Sequence, residues 1–141
     1  MRVFLDTSVL VASARKSDQR YQVSRGVLMR CHPQDSFCAA LTLAELYASL
    51  TGMRPPNRFR PEQAILVIDQ VKASLQCVTL TAEEAFQTVH RTATLKLPGG
   101  IIYDALLMAC ARKVNSERIY TWNEEHFRMV APDLANRIVT P

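Results

Sequence analysis

A chain of 141 residues with 48% hydrophobic and 21% charged residues has the composition expected of one soluble globular domain spanning residues 1–141. No apolar run approaches the roughly 18 residues of a membrane span, and the N-terminus lacks the features of a signal peptide, so we expect a cytoplasmic protein with no membrane partner. The four cysteines form no C-x-x-C pair and the three histidines have no metal-binding spacing, which argues against a zinc site or a disulfide scaffold.

The balance of charges favours an anionic partner. The chain carries 17 basic and 13 acidic residues, for a net charge of +4, and 13 of the 17 basic residues are arginine. The planar guanidinium group suits bidentate recognition of phosphate. Charge alone does not identify nucleic acid, but acids neutralised by a metal would leave a surface more basic than the count suggests.

Short apolar strands alternate with helices along the chain. Ser8 is the predicted cap of the first helix, Gly52 ends the third and Pro61 begins the fourth. Strands are predicted over residues 3–6, 36–39, 77–80, 118–121 and 137–140. Helices are predicted over residues 8–14, 19–31, 41–53, 61–75, 81–97 and 101–114, with a short helical turn over 123–127.

This alternation predicts an α/β fold with a mainly parallel sheet of about five strands. In open parallel sheets, ligands bind beyond the carboxyl ends of the strands. Asp6 lies at the end of the first strand, and Thr121 to Asn123 lie at the end of the fourth. We therefore expect these residues to border a ligand site.

Three acids lie in apolar surroundings. Asp6 ends the first strand, and Glu45 and Asp104 are each the only acid of an otherwise apolar predicted helix. A carboxylate in such a setting costs several kcal/mol unless a cation or hydrogen-bond donors meet it. Each acid can be satisfied separately, by an arginine or by capping a backbone group. For three acids gathered by one sheet, a shared cation is the more economical explanation.

The types of ligand predict the kind of cation. A carboxylate site without cysteine or histidine suits hard divalent ions, so Mg²⁺ or Mn²⁺ is expected rather than zinc or copper. Such an ion can polarise a phosphodiester and activate water. The three acids therefore favour metal-assisted phosphoryl chemistry.

Four segments occur in a fixed order: VFLDTS at residues 3–8, TLAEL at 42–46, IYDALLMA at 102–109 and IYTWNEEHF at 119–127. In this order, at these spacings and in a chain of this size, they resemble the PIN-domain ribonucleases. The resemblance is closest to the small VapC-type toxins of bacterial toxin–antitoxin pairs, and it covers nearly the whole chain. It implies a PIN-like three-layer α/β/α sandwich.

The resemblance also implies roles for individual residues. Asp6 and Asp104 would bind the metal, and Glu45 would complete the acidic core. Hydroxyl groups near the metal waters or the substrate phosphate would come from Thr7, Ser8 and Thr121.

The fourth segment departs from the family pattern. Many PIN domains carry an aspartate where this chain has Asn123, which can orient a water molecule but adds no negative charge. We therefore expect one well-held ion, with Asn123 as a further residue of the catalytic site. Glu124 or Glu125 is an alternative source of the missing charge, or else begins a short helix. His126 and Phe127 are expected to serve packing.

Partners follow from the same resemblance. It implies an RNA substrate, a cognate VapB-type antitoxin lying over the active-site groove, and a homodimer. RNA phosphates could be held by two clusters of arginine and lysine, of which Arg15 is the predicted substrate-binding residue, or both clusters could be solvated loops. The clusters are Arg15, Lys16 and Arg20, and Arg54, Arg58 and Arg60.

Two other functions compete with a ribonuclease. The first is a catalytically inactive module that keeps the fold and binds RNA or protein, and Asn123 is its support. The second is a phosphohydrolase or receiver that uses Asp6 as a covalent nucleophile. The second is weak, because Ser8 occupies the place of the second aspartate of such hydrolases.

Overall fold

A single parallel sheet organises the molecule. The computed structural model describes residues 1–141, and every strand pair in its five-stranded sheet is parallel, in the order β3-β2-β1-β4-β5. The predicted α/β fold is confirmed, and the sheet is wholly rather than mainly parallel. The strands are β1 (Val3–Leu5), β2 (Ser36–Ala39), β3 (Gln76–Val78), β4 (Arg118–Tyr120) and β5 (Ile138–Val139).

Helices cover both faces of the sheet, as the three-layer prediction requires. They are α1 (Thr7–Ala14), α2 (Tyr21–Met29), α3 (Ala40–Thr51), α4 (Pro61–Ser74), α5 (Ala82–Thr94), α6 (Ile101–Lys113) and α7 (Glu124–Val130). A 3₁₀ helix over Pro132–Arg137 leads into β5, so the last strand is shorter than predicted.

The strand β1 packs against the helices on both faces of the sheet. Successive side chains of a strand point to opposite faces, so Phe4 packs in the apolar cluster under α6 and α7, and Leu5 packs in the cluster under α1 to α4. Both side chains are fully buried. A strand buried on both faces reads as a continuous apolar run, which explains the segment VFL.

The prediction that Ser8 caps the first helix is wrong. Asp6 is the cap, because its side chain accepts a hydrogen bond from the Ser8 backbone N–H at 3.3 Å and α1 begins at Thr7. The carboxylate thus satisfies a free N–H of the first turn. The change matters for function, because it fixes Asp6 at the carboxyl edge of the central strand.

An ion-pair cluster joins the elements on one face. Arg91 of α5 donates to Asp133 of the 3₁₀ helix at 2.7 Å, and Arg112 of α6 donates to both Asp133 oxygens at 3.0 Å. These contacts, led by the hydrogen bonds from Arg112, hold the pKa of Asp133 below its usual value. Asp133 therefore stabilises the fold above the pKa of an unfolded aspartate, about 3.9, and this stabilisation is lost as the pH falls through the lower folded value.

We expect Asp133→Asn to lower the free energy of unfolding by up to about 1 kcal/mol at pH 7, the range of partly exposed ion pairs. Urea denaturation at pH 7 and pH 3 checks this, with Asp69→Asn, an exposed acid of α4, as the control. The difference between wild type and Asp133→Asn should shrink at pH 3. An equal difference at both pH values would contradict an electrostatic origin.

Candidate active site

A cavity of about 350 Å³ opens at the carboxyl edge of the sheet. We call it the acidic cavity. Its lining includes most of the residues that the sequence predicts for the site: Asp6, Thr7, Ser8, Glu45, Asp104 and Asn123. The elements that bring them together are β1 with α1, α3 directly after β2, α6, and the segment between β4 and α7.

Asp6 is held by donors on one side only. Its Oδ2 accepts hydrogen bonds from Ser8 Oγ at 2.6 Å, from the Ser8 N–H at 3.3 Å and from Thr121 Oγ1 at 2.8 Å. Burial, which leaves the residue 2% exposed, raises the pKa of Asp6, and the hydrogen bonds oppose that rise. The Thr7 N–H also lowers the pKa of this carboxylate, but all three of its hydrogen bonds end on Oδ2 and no cationic side chain pairs with it, so Oδ1 stays available to a ligand.

Glu45 is positioned by the hydroxyl of Thr7. Thr7 Oγ1 donates to Glu45 Oε1 at 2.8 Å and lies 3.0 Å from Thr42 Oγ1. Burial raises the pKa of Glu45; the hydrogen bond from Thr7 opposes this rise, and the charges of Asp6 and Asp104 add to it. The Thr7 hydroxyl is therefore engaged with protein groups.

His126 is the only side chain that forms an ion pair with Asp104. Burial raises its pKa, the charge of Asp6 raises it further, and His126 lowers it. His126 Nδ1 lies 3.8 Å from Asp104 Oδ2, and the His126 side chain is 62% exposed. A packing role was predicted for both His126 and Phe127. Only Phe127 is fully buried, whereas His126 lies beside Asp104 at the surface.

The donor set fits a hard cation. Asp6, Glu45 and Asp104 each have a raised pKa, and no arginine or lysine forms an ion pair with any of them. A divalent ion would relieve both their burial and their mutual repulsion. No three acidic, histidine or cysteine side chains are close enough to form a ready three-residue metal site. The arrangement suits an ion held by one or two carboxylates and water, as Mg²⁺ prefers.

The segment after β4 encloses Asp6. Thr121 is fully buried; its hydroxyl donates to Asp6 and accepts a hydrogen bond from the Asn123 N–H at 2.9 Å. The Trp122 N–H donates to Ser8 Oγ at 3.0 Å. Thr121 therefore lies beneath the acidic cavity as a support for Asp6, whereas Asn123 lines the cavity itself.

Comparison with known families gives a match over most of the chain. The model of the PIN domain matches residues 3–131, a span that contains all four predicted catalytic residues, Asp6, Glu45, Asp104 and Asn123. The chain belongs to the PIN domain family.

Solved structures share the fold of this PIN domain. VapC20 of Mycobacterium tuberculosis, a sarcin–ricin loop cleaving toxin, is 18% identical with a TM-score of 0.70, covering 88% of this chain and 92% of its own. VapBC-1 of nontypeable Haemophilus influenzae is 19% identical with a TM-score of 0.68, covering 99% and 98%. VapBC2 of Rickettsia felis, bound to a promoter DNA fragment, is 20% identical with a TM-score of 0.62, covering 92% and 93%. A comparison with curated protein sequences gave no significant match. None of the helices combines the length and the apolar character needed to cross a bilayer.

Two glutamates that the sequence offered as substitutes for the missing aspartate of this PIN domain lie outside the acidic cavity. Glu124 and Glu125 form the first turn of α7, where negative charge favours the helix dipole. Glu124 also accepts from Arg128 at 2.6 Å. Asn123 is therefore not replaced by a neighbouring acid.

Arg20 of this PIN domain differs in position from Arg15 and Lys16, with which the sequence groups it in one basic cluster. It lines the acidic cavity and lies over the Trp122 ring, 4.8 Å from the ring centre. Trp122 is itself fixed by a hydrogen bond from Nε1 to Ser24 Oγ at 2.9 Å. The predicted substrate-binding residue Arg15 lies elsewhere, in a neighbouring cavity with Lys16. Its place in the acidic cavity and its contact with Trp122 distinguish Arg20 from Arg15 and Lys16, and the sequence gives no sign of either.

Proposed function

We propose that this PIN domain is a metal-dependent endoribonuclease that acts as the toxin of a toxin–antitoxin pair. The observation that carries the proposal is the meeting of Asp6, Glu45 and Asp104 at one sheet edge without a cationic partner. The likeness to VapC20, a toxin that cleaves the sarcin–ricin loop, supports RNA as the substrate class.

Asp6, through its free Oδ1, and Asp104 would hold Mg²⁺ or Mn²⁺. When bound, the ion supplies Lewis acidity to the phosphodiester and lowers the pKa of water. Ser8 and Thr121 keep the Asp6 carboxylate in one orientation by donating to Oδ2. Fixed orientation of this kind is what partners of metal ligands provide.

Proton transfer falls to Glu45. Thr7 holds its Oε1, and no protein donor reaches Oε2, which is free to accept a proton from the attacking water. Asn123 would orient the water, and Arg20 would bind the substrate phosphate.

The antitoxin is proposed on the same grounds. Two of the similar structures are VapBC assemblies, and a free ribonuclease would damage its own cell. We propose a VapB-type antitoxin that covers the acidic cavity. A homodimer stays a prediction from the family resemblance.

The test is cleavage of a mixed RNA pool by purified, antitoxin-free protein in Mg²⁺, in Mn²⁺ and in chelator. Asp104→Asn, prepared identically, is the matched variant. We expect cutting only with metal and only by wild type. If no metal supports cutting and calorimetry detects no metal binding, the protein is instead an inactive PIN module, as Asn123 would allow.

A further inference from the structure

A second cavity, of about 340 Å³, lies beside the acidic one and has the opposite charge. It brings together residues of both basic clusters, which are about 40 residues apart in the chain. No acidic residue contributes to its lining, so we call it the basic cavity. Its polar lining is Arg15, Lys16, Ser17, Asn57, Arg58 and Gln63.

The cations of the basic cavity have hydrogen-bonding capacity to spare. Arg15 Nε is buried without a hydrogen-bond partner, and the only acid that forms an ion pair with this guanidinium is Asp18, whose Oδ2 lies 4.0 Å from Nη1. Arg58 Nε donates to the carbonyl oxygen of Met53 at 2.8 Å, and its two terminal nitrogens remain available as donors. Lys16 is exposed and forms no ion pair or hydrogen bond. A buried unpartnered donor is costly, and an anion would satisfy it.

The helix α1 connects the two cavities. Ser8, Val11 and Ala12 line the acidic cavity, and Arg15, which caps the C-terminus of α1, lines the basic cavity. An eight-residue helix is about 12 Å long. Asp18, which lines the acidic cavity, also lies 4.0 Å from Arg15 Nη1, so the two cavities are neighbours at the C-terminal end of α1.

The helix α3 follows the same course. It is in contact with α1, and Glu45 and Ser49, one turn apart, line the acidic cavity. The helix ends at Gly52, and the loop that follows supplies Asn57 and Arg58 to the basic cavity. Both α1 and α3 therefore carry residues of the acidic cavity and are followed by residues of the basic cavity.

We propose that the basic cavity is a phosphate subsite for single-stranded RNA, occupied by a backbone phosphate of the same strand whose scissile bond lies in the acidic cavity. The proposal rests on the proposed function, because it assumes an RNA strand in the acidic cavity. Cations without acids in their lining suit a polyanion, and guanidinium groups suit its phosphate oxygens.

Binding is measured first, in the Asp104→Asn protein, with a fluorescent twelve-nucleotide oligouridylate over a series of salt concentrations. Arg15→Gln, Lys16→Gln and Arg58→Gln are compared with Lys72→Gln, an exposed lysine of α4 outside the cavity. Each cavity variant is expected to weaken binding several-fold and to reduce the salt dependence, log K against log salt, by about 0.7. Lys72→Gln should change neither quantity.

Cleavage assays, in protein with Asp104 intact, then test whether one RNA strand occupies both cavities at once. A dinucleotide has one phosphodiester and cannot occupy both cavities, so Lys16→Gln should leave its cleavage unchanged. For the twelve-nucleotide strand, the same variant should raise KM about tenfold and leave kcat within about twofold. Equal losses on both substrates would overturn the subsite.

The two proposals fail in different ways. If wild type cuts the long strand and none of the three cavity variants changes binding or cleavage, the subsite is wrong and the nuclease proposal is unaffected. Binding that depends on Lys16 in a protein that never cuts RNA would support the subsite and overturn the nuclease. If the variants keep oligouridylate affinity but lose affinity for a glutamate-rich peptide, the cavity binds acidic protein and the RNA subsite is wrong.

Discussion

Asp6→Asn is expected to abolish metal-dependent RNA cleavage and, at the same time, to stabilise the metal-free protein. The amide oxygen can still accept the hydrogen bonds from Ser8 and Thr121, so the local fold is kept. The negative charge that would hold the metal is lost. We expect cleavage to fall by more than about 1000-fold, or about 4 kcal/mol of transition-state stabilisation.

The stability gain follows from the sign of the pKa shift. Burial raises the pKa of Asp6, so folded protein holds this proton more tightly than the unfolded chain does. Wild-type stability therefore falls as the pH rises from about 3.9 through the folded value, and the whole penalty is present above it. Each unit of that rise costs about 1.4 kcal/mol, which Asp6→Asn would recover at neutral pH.

Thermal melts at pH 7 and pH 4 measure this gain. In chelator at pH 7, Tm should rise by about 4 °C for each kcal/mol recovered, and the gain should be smaller at pH 4. Mn²⁺ should raise the Tm of wild type and not that of Asp6→Asn. Asp69→Asn is the control for amide substitution on an exposed acid. An Asp6→Asn protein that is unfolded, or that cuts RNA at the wild-type rate, would sink the assignment of Asp6.

Thr121→Val should reduce cleavage by about 10- to 100-fold, the loss typical when a partner of a metal ligand is removed. The variant has nearly the same shape but cannot donate to Asp6 Oδ2 or accept from the Asn123 N–H. The buried Asp6 carboxylate would lose one of its hydrogen-bond donors, which should also lower the free energy of unfolding by about 1–3 kcal/mol.

Thr121→Ser is the matched control, because it restores the hydroxyl without the methyl group. It should recover most of the cleavage rate and of the Mn²⁺ affinity measured by calorimetry. If Thr121→Val is destabilised but binds Mn²⁺ and cuts RNA like wild type, the hydroxyl serves only the fold.

The sequence predicted the fold well because the relevant patterns are local. Short apolar runs such as VFL and helix signals such as Pro61 fix the type of each element, and alternation then favours a parallel sheet. The cap of α1 was missed because Asp6 and Ser8 both have side chains that can accept from the first turn, and only the backbone geometry distinguishes them.

The candidate site was only partly accessible from sequence. Single acids in apolar helices predicted Glu45 and Asp104 as site residues, and both line the acidic cavity. The approach of His126 to Asp104 and the stacking of Arg20 on Trp122 depend on how separate elements pack, which no local pattern encodes. The union of Arg15 with Arg58 in one cavity has the same origin.

The central position of β1 has a consequence for synthesis on the ribosome. β1 pairs with β4, whose residues emerge more than 110 positions later, and Thr121 completes the setting of Asp6. At about 5–20 residues per second, this interval is on the order of ten seconds. Until then the nascent chain carries Asp6 with only one of the two strands that flank β1, and a product truncated before Arg118 lacks Asn123, which lines the acidic cavity. A chain that ends before Arg118 therefore lacks both the β4 strand that pairs with β1 and the Thr121 hydroxyl that orients Asp6.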